Sequence, residues 1–532
     1  MESTPGSPPR SPNTSEFSNS TALNVDDYFH VCRTNTSSPM PMALRHTRSG
    51  SGYDLEKTVP PSNEHRTLVL CFDGTGDQFD DDNSNVVNFF TMLKKDDPNQ
   101  QLVYYQSGIG TYVIPEIAKP KLAKVHKVID AMLGSHLNAH VMDEHGDKIC
   151  LFGTYTVFYD YPKLTRIANC KTARALAGML HKVDIHPVGL LPKANHQQIP
   201  FAYKMYSRED ETGWRQSTAF KRAFSIDVDI ELLGVWDTVS SVGFVPRRLP
   251  FTRSNTNVRY FRHAMALDER RARFQPNFWH RATPEDHQLG IQAGEMPKSR
   301  LHASSEHKSM NDLEREYTDG GSFKTHIEEV WFAGCHCDVG GGALPNTARS
   351  SLARIPLRWM IRQCFLLNTG ILFHANMLRL VGMDHTTLYP RVLPRPPPPS
   401  PRRSPREWQR SDSGSTSKTV TATVRSMVPS EFDFASEEEE DLLDALTDIH
   451  DELHRQKMWW ILELLPQQLH VQDDDDDSWS TKREVHRGRG RIMPRQSTHG
   501  VKLHRTVKMR MEALGYKPRA QLNPTTEPTW VD

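Results

Sequence analysis

Three positions in this 532-residue chain follow strand-like runs and carry groups suited to acid–base chemistry. Asp237 closes the run Ile230-Glu231-Leu232-Leu233-Gly234-Val235-Trp236. A carboxylate there can orient a histidine, hold its Nδ1–H and stabilise an imidazolium. The same residues also read as a turn or helix N-cap aspartate. His336 follows the run Ile327–Phe332 and precedes Gly340-Gly341-Gly342, which suits a general base. The third position is Phe72-Asp73-Gly74-Thr75-Gly76-Asp77. Glycines directly after a strand let N–H groups around Gly74 and Thr75 converge on an oxyanion or a phosphate. Asp-Gly pairs are also ordinary turn makers. With Asp80 and Asp81 nearby, the loop reads as solvated and acidic, with a metal or phosphate site at Asp73–Asp81 as the alternative. Cys335, His336, Cys337 and Asp338 do not read as a metal set. Neighbours on an extended chain point to opposite sides, and no matching cysteine pair lies elsewhere. No metal and no other cofactor is expected.

Asp237 and His336 lack a partner in the sequence. The strand-like run Lys148–Phe152 ends at Gly153, and a helix-like run opens at Thr172-Ala173-Arg174-Ala175-Leu176-Ala177-Gly178. In an α/β-hydrolase this strand-to-helix turn carries the nucleophile, and the chain order is serine, acid, histidine. The order here would be nucleophile, Asp237, His336. Yet Thr154–Lys171, the whole connector, contains no serine. Thr154 and Thr156 are the nearby candidates to replace it. Neither has the glycine two residues later that a strained elbow requires.

The elements that must position these groups alternate. Thr67–Phe72 is apolar on both faces, as a buried parallel strand is. Asn85–Met92 follows as a helix, Leu102–Tyr105 as a strand, then Lys148–Phe152, the helix Thr172–Val183, strands Ile230–Trp236 and Ile327–Phe332, and the helix Ile355–Leu367. The fold class expected is α/β: an α/β-hydrolase-like, mainly parallel sheet flanked by helices, with a disordered N-terminal tail and linker. Residues 1–65, rich in Ser, Thr and Pro, form that tail; residues 66–385 form the catalytic-type domain; the Pro/Ser/Arg-rich stretch 391–435 is the linker. Residues 436–520 form a helical segment with acidic and basic loops. Within it Ser436-Glu437-Glu438-Glu439 resembles a capping box. Leu442, Leu446, Ile449, Leu453 and Trp460 predict one amphipathic helix ended by Pro466, packing back onto the core; the alternative is that this helix or the proline-rich linker meets a protein partner. Asp473–Asp477 and Arg483–Arg495 read as solvated charged loops.

Composition excludes other classes. Lys+Arg and Asp+Glu are both 65, so nothing global argues for a nucleic-acid partner or an acidic membrane. No apolar run approaches the roughly 20 residues of a transmembrane span. The N-terminus lacks the pattern of a cleaved signal peptide. Seven irregularly spaced cysteines read as reduced thiols. A soluble, cytoplasmic protein is expected.

Several ordered motifs together resemble a known family, the catalytic domain of type VI secretion phospholipase effectors and its fungal relatives. They are Leu70-Cys71-Phe72-Asp73-Gly74-Thr75, Gly153, Thr172–Gly178, Gly234-Val235-Trp236-Asp237-Thr238-Val239, Arg262–Glu269 and Val330–Gly342. The resemblance covers about residues 66–385, with a weaker match near His504–Ala520. It implies hydrolysis of a small-molecule ester or a phospholipid by a Ser-Asp-His triad, with Asp237 and His336 as acid and base and a structural role for His263. The family reads Gly-Phe-Ser-Arg-Gly-Ala-Tyr before Thr-Ala-Arg-Ala-Leu-Ala-Gly. Here Gly153 and Thr172 enclose Thr154–Lys171 instead, so the chain as written is expected to be inactive or impaired. His140–Gly146 also looks shortened and Asp184–Val188 inserted. Breaks this clustered suggest a faulty or alternative splice product; the rival is genuine loss of catalysis, leaving a hydrolase-fold binding protein.

Overall fold

The computed structural model describes residues 57–74, 79–107, 148–154, 172–183, 205–206, 208, 210–224, 229–239, 251–252, 255–279, 313–314, 324–399, 436–472, 479–494 and 499–532. Eight strands among them form one sheet: β1 (Thr67–Phe72), β2 (Gln101–Gln106), β3 (Lys148–Thr154), β4 (Ile230–Trp236), β5 (Val258–Ala266), β6 (His326–Phe332), β7 (Lys502–His504) and β8 (Thr529–Val531). Their order is β8-β7-β6-β5-β4-β3-β1-β2, and every neighbouring pair is parallel. The α/β class and the parallel sheet are as the alternation of runs predicts.

The period of two along β1 sorts its side chains between two cores. Val69 and Cys71 join Cys150, Phe152, Leu232 and Trp236 on one face, against Phe89 of α1 (Asn85–Thr91) and Met360 of α2 (Arg354–Leu366). Leu68, Leu70 and Phe72 join Leu151, Leu233 and Phe261 on the other, against Ala173, Leu176 and Leu180 of α3 (Thr172–Val183). Helices therefore cover both faces, which is why the strands read as continuous apolar runs rather than alternating ones.

From β1 the chain builds β2 on one side, then crosses to build β3 on the other. The order reverses between β1 and β3, so the crevice beyond their carboxyl ends is the position where such sheets bind ligands. Asp73 and Gly74 leave β1 there, and β3 ends there with Gly153 and Thr154.

Three expectations need correction. Strand β5 was not among the predicted strands, because Arg259, Arg262 and His263 interrupt its apolar pattern; it is nonetheless central, with Arg262 and His263 buried. The predicted single helix before Pro466 is three short ones: Glu437–Ala445, Glu452–Arg455 and Trp459–Glu463. Asp451 restarts the helix as an N-cap, its side chain accepting from the His454 N–H, which a continuous helix would not need. The capping box does form, with Ser436 and Glu439 bonding each other's backbone N–H. Pro466 opens a strand, Pro466–Gln472, that pairs with Trp479–Val485. Leu442, Leu453 and Trp459 are buried in the chain's own core. Finally, both assigned borders shift. Thr58-Val59 pair with His374-Phe373, and Arg395 binds Glu437, Glu438 and Asp441, so the ends of the presumed tail and linker belong to the folded part.

Helix Glu437–Ala445 docks on α2 through buried ion pairs. Arg354, Arg358 and Arg362, spaced by four along one face of α2, meet Glu440 and Asp444, Asp441 and Asp444, and Glu437. Further on, β7 and β8 extend the sheet itself. Residues 1–56, 108–147, 155–171, 184–204, 240–250, 280–312 and 400–435 lie outside the described residues. With them go the expectations placed on His140–Gly146, Asp184–Val188, Thr156 and most of the linker. No helix among the described residues is long and apolar enough to cross a membrane.

Candidate active site

Asp237 stands at the carboxyl end of β4 with φ at 41°, a left-handed conformation uncommon for a residue with a side chain. Its N–H donates to the Ala264 carbonyl of β5 at 2.7 Å, which fixes the turn. Its carboxylate is fully buried and accepts four hydrogen bonds. Oδ1 receives the Ala266 N–H at 2.9 Å and Arg491 Nη1 at 2.6 Å; Oδ2 receives Arg491 Nη2 at 2.8 Å and pairs with His336 Nδ1 at 2.6 Å. Burial alone would raise this carboxyl group's pKa, but the Arg491 guanidinium and the His336 bond together hold it well below the usual carboxylate range.

An ionised Asp237 places the proton of His336 on Nδ1, leaving Nε2 as the atom able to take one. His336 is not on extended chain. It opens a short helix, His336–Gly340, capped by Cys335 and Asp338. The extended geometry expected for Cys335–Asp338 is therefore corrected to a helix start. The His336 N–H points to Glu269 Oε2 at 3.3 Å, and Phe274 stands edge-on to its ring at 5.0 Å. Glu269 is itself paired with Arg271 at 2.7 Å. Burial would raise Glu269, and Arg271 outweighs it, bringing the carboxyl down to about 2.

The sequence brings Asp237 and His336 together as expected from chain order. Arg491 was missed. It sits in the Arg-Gly-Arg-Gly-Arg run 487–491, which composition marks only as a charged loop; Arg487 and Arg489 are exposed as that reading expects, whereas Arg491 is 1% exposed. No spacing in the run singles it out.

His263, at the end of the buried β5 face, accepts the Thr238 N–H at Nε2 (3.2 Å), and its Nδ1 lies 3.5 Å from Glu329. Burial lowers its pKa, so it is a neutral prop under the Asp237 turn. Asp73 accepts Ser84 Oγ and Tyr105 hydroxyl bonds, each at 2.6 Å, and its own Gly74 N–H at 2.9 Å. Asp73 thus ties the β1 end to α1 and β2, and the Gly74 N–H is engaged locally. Thr75 lies outside the described residues.

The elbow end is different. β3 runs through Gly153 into Thr154, which is in register with Trp236 and 1% exposed; its hydroxyl lies 3.5 Å from the Gly340 carbonyl. A Cβ at Gly153 would lie 3.0 Å from the Ala173 Cβ, so the start of α3 abuts the end of β3 although 17 residues, 155–171, separate them in sequence. Arg174 fastens α3 to the same edge, bonding Thr238 Oγ1 at 2.9 Å and the Thr252 and Asn277 carbonyls at 2.8 and 2.5 Å. Strand and helix are juxtaposed as a tight turn would place them.

Against this geometry, the profile described as "T6SS, Phospholipase effector Tle1-like, catalytic domain" matches residues 66–363, more than half of the chain. The chain belongs to this Tle1-like family. The matched span contains Gly153, α3, Asp237 and His336, and ends well before Arg491. The uncharacterized protein YEL023C of Saccharomyces cerevisiae is 29% identical over 259 residues, covering 43% of this chain and 35% of that protein. The chain thus spans about a third of the length of this curated relative. Two solved structures align at 14% identity. One is an uncharacterized protein from Pseudomonas aeruginosa (TM-score 0.30, covering 58% of this chain and 46% of that one). The other is a Tle1 effector bound to the VgrG spike of the type 6 secretion system (TM-score 0.26, covering 54% and 53%). At these scores neither alignment bears on what this chain does.

Proposed function

We propose that the chain is a serine-type ester or phospholipid hydrolase scaffold that retains its acid and base and has lost its nucleophile, so that it is inactive or strongly impaired as written. The observation that carries this reading is the 2.6 Å Asp237–His336 bond at the carboxyl edge of a parallel sheet, in a chain of a phospholipase effector family. Asp237 is the acid, His336 the general base, and the position for a nucleophile is the β3–α3 junction, where Thr154 is buried in the strand. The alternative, a catalytically dead binding protein, is favoured by that same junction.

Replacing Thr154–Lys171 with Phe-Ser-Arg-Gly-Ala-Tyr tests the proposal against short-chain esters and phospholipid vesicles. Turnover is expected to rise by about 10³-fold or more, since a missing triad member leaves only the contribution of binding and oxyanion contacts. His336→Ala should abolish the gain. An inert replacement chain would sink the hydrolase reading. Turnover by the unaltered chain that His336→Ala abolishes would sink the claim of inactivity. Sequencing the transcript across the codons for Asp147–Leu190 separates a splicing origin from genuine loss.

A further inference from the structure

All five N–H donors of Arg491 are used. Nε bonds the Phe274 carbonyl at 3.0 Å; Nη1 bonds Asp237 Oδ1 at 2.6 Å and the Ala266 carbonyl at 3.0 Å; Nη2 bonds Asp237 Oδ2 at 2.8 Å and the Phe274 carbonyl at 2.5 Å. Both carbonyls belong to β5 and the chain leaving it, so this segment forms a socket shaped for a planar fork. A lysine head, with three donors around one nitrogen, cannot satisfy it. An aspartate carboxylate turns readily about its last side-chain bond. Here the two-point bond fixes its plane. In that plane Oδ1 faces the Ala266 N–H and Oδ2 faces His336 Nδ1. Arg491 also lies 254 residues from Asp237 and beyond the family's matched span.

We propose that Arg491 is a positioning residue for the acid–base pair. By fixing the plane of the Asp237 carboxylate it aims the His336 imidazole, and a residue beyond the matched span thereby completes a site whose other members lie within it. The inference rests on reading Asp237 and His336 as the hydrolytic pair. A guanidinium that merely glued two segments would leave the imidazole indifferent to its loss.

The test uses the full chain and follows the downfield Nδ1–H proton resonance of His336, assigned by its loss in His336→Gln. Arg491→Met is expected to remove or broaden that resonance, and Arg491→Lys should not restore it. Arg358→Met, which empties an equally buried ion pair with Asp441 and Asp444, should leave it in place. In the chain with the replaced elbow, Arg491→Met should lower kcat about 10²-fold, the scale of a small misplacement of a catalytic group, with KM little changed. Survival of the resonance or of kcat in folded Arg491→Met or Arg491→Lys overturns the proposal. If neither single variant folds, Asp237→Asn combined with Arg491→Met decides. Recovery of folding shows that the socket serves the carboxylate, and continued unfolding makes Arg491 structural through Ala266 and Phe274. Should the replaced-elbow chain prove inert, the hydrolytic reading fails while the resonance still reports on Arg491.

Discussion

The proposed acid–base pair and the β3–α3 junction, the proposed elbow, lie on the same edge of the sheet, yet they are built in opposite ways. Around Asp237 every hydrogen-bonding position is filled, by β5, by the helix that opens at His336 and by an arginine from far downstream. At the elbow the fixed parts are the flanks: Gly153 against Ala173, and Arg174 bonded to Thr238 and two carbonyls. The connector Thr154–Lys171 between them contains no serine. On the proposed reading, a catalytic constellation need not be lost as a unit. Burial of the charged half makes it part of the fold, since removing either Asp237 or Arg491 strands a charge in the core. On the same reading, losing a serine on a turn strands no charge, so its segment can change while the sheet persists.

This comparison breaks first at the level of rate. In the chain with the replaced elbow, Asp237→Asn should lower kcat by about 10⁴-fold, because the amide favours the wrong tautomer of His336. A steady-state assay showing less than a tenfold loss would mean that the pair, however well built, is not the acid and base.

Next comes stability. In the unaltered chain Asp237→Ala should cost about 3–5 kcal/mol in urea unfolding, through the uncompensated Arg491. Arg174→Met at the elbow end removes at least three hydrogen bonds made by a cation to neutral partners, whose loss leaves no charge unpaired, and should cost less. If the two losses are equal, the two ends are equally structural and the contrast fails.

Much of this contrast was legible in the sequence. Asp237 and His336 follow strand-like runs that end in Leu232–Trp236 and Val330–Phe332, apolar but for Gly234, so their place at the carboxyl edge follows from the fold class. The sequence also shows directly that Thr154–Lys171 contains no serine. Arg491 was not, because a charge run reports only average solvation, and one buried member depends on a carboxylate 254 residues away. β5 escaped for a related reason: its Arg262 and His263 are buried and hydrogen-bonded rather than apolar, bonding Gln363 and Thr238. The three-part helix before Pro466 was read as one because spacing of apolar residues does not register an N-cap such as Asp451.

Acid should loosen the fold in two stages. His504, N-cap of the helix Arg505–Leu514, is buried, and burial lowers its pKa from 6.5 to about 3. A depressed histidine is neutral in both states above about pH 6.5; below it the unfolded chain takes up the proton first, so stability falls as pH drops toward 3. Glu269, brought from 4.5 to about 2, contributes stability above pH 4.5 that is lost as pH falls toward 2. Each proton adds a slope of up to about 1.4 kcal/mol per pH unit. Urea midpoints between pH 7 and pH 4 should decline, and His504→Gln should flatten the part above pH 4.5. A profile unchanged by that substitution would remove His504 as the cause, leaving the decline above pH 4.5 to another buried histidine of lowered pKa such as His263.

The smallest effect probes the elbow's own rigidity. Gly153→Ala places a methyl group 3.0 Å from the Ala173 Cβ and 3.6 Å from the Phe72 carbonyl oxygen, so α3 must give by a few tenths of an ångström. The expected cost is about 1–2 kcal/mol, the range for modest overpacking. Its size depends on what holds α3. If Arg174 is the fastening, the same substitution made in Arg174→Met should cost distinctly less, because the helix can then yield. The two losses would fail to add, as losses do for residues in one packed unit. Strict additivity would place the fastening elsewhere, in the packing of Leu176 and Leu180 against β1 and β3, and the elbow would then be held by its core rather than by the edge it shares with Asp237.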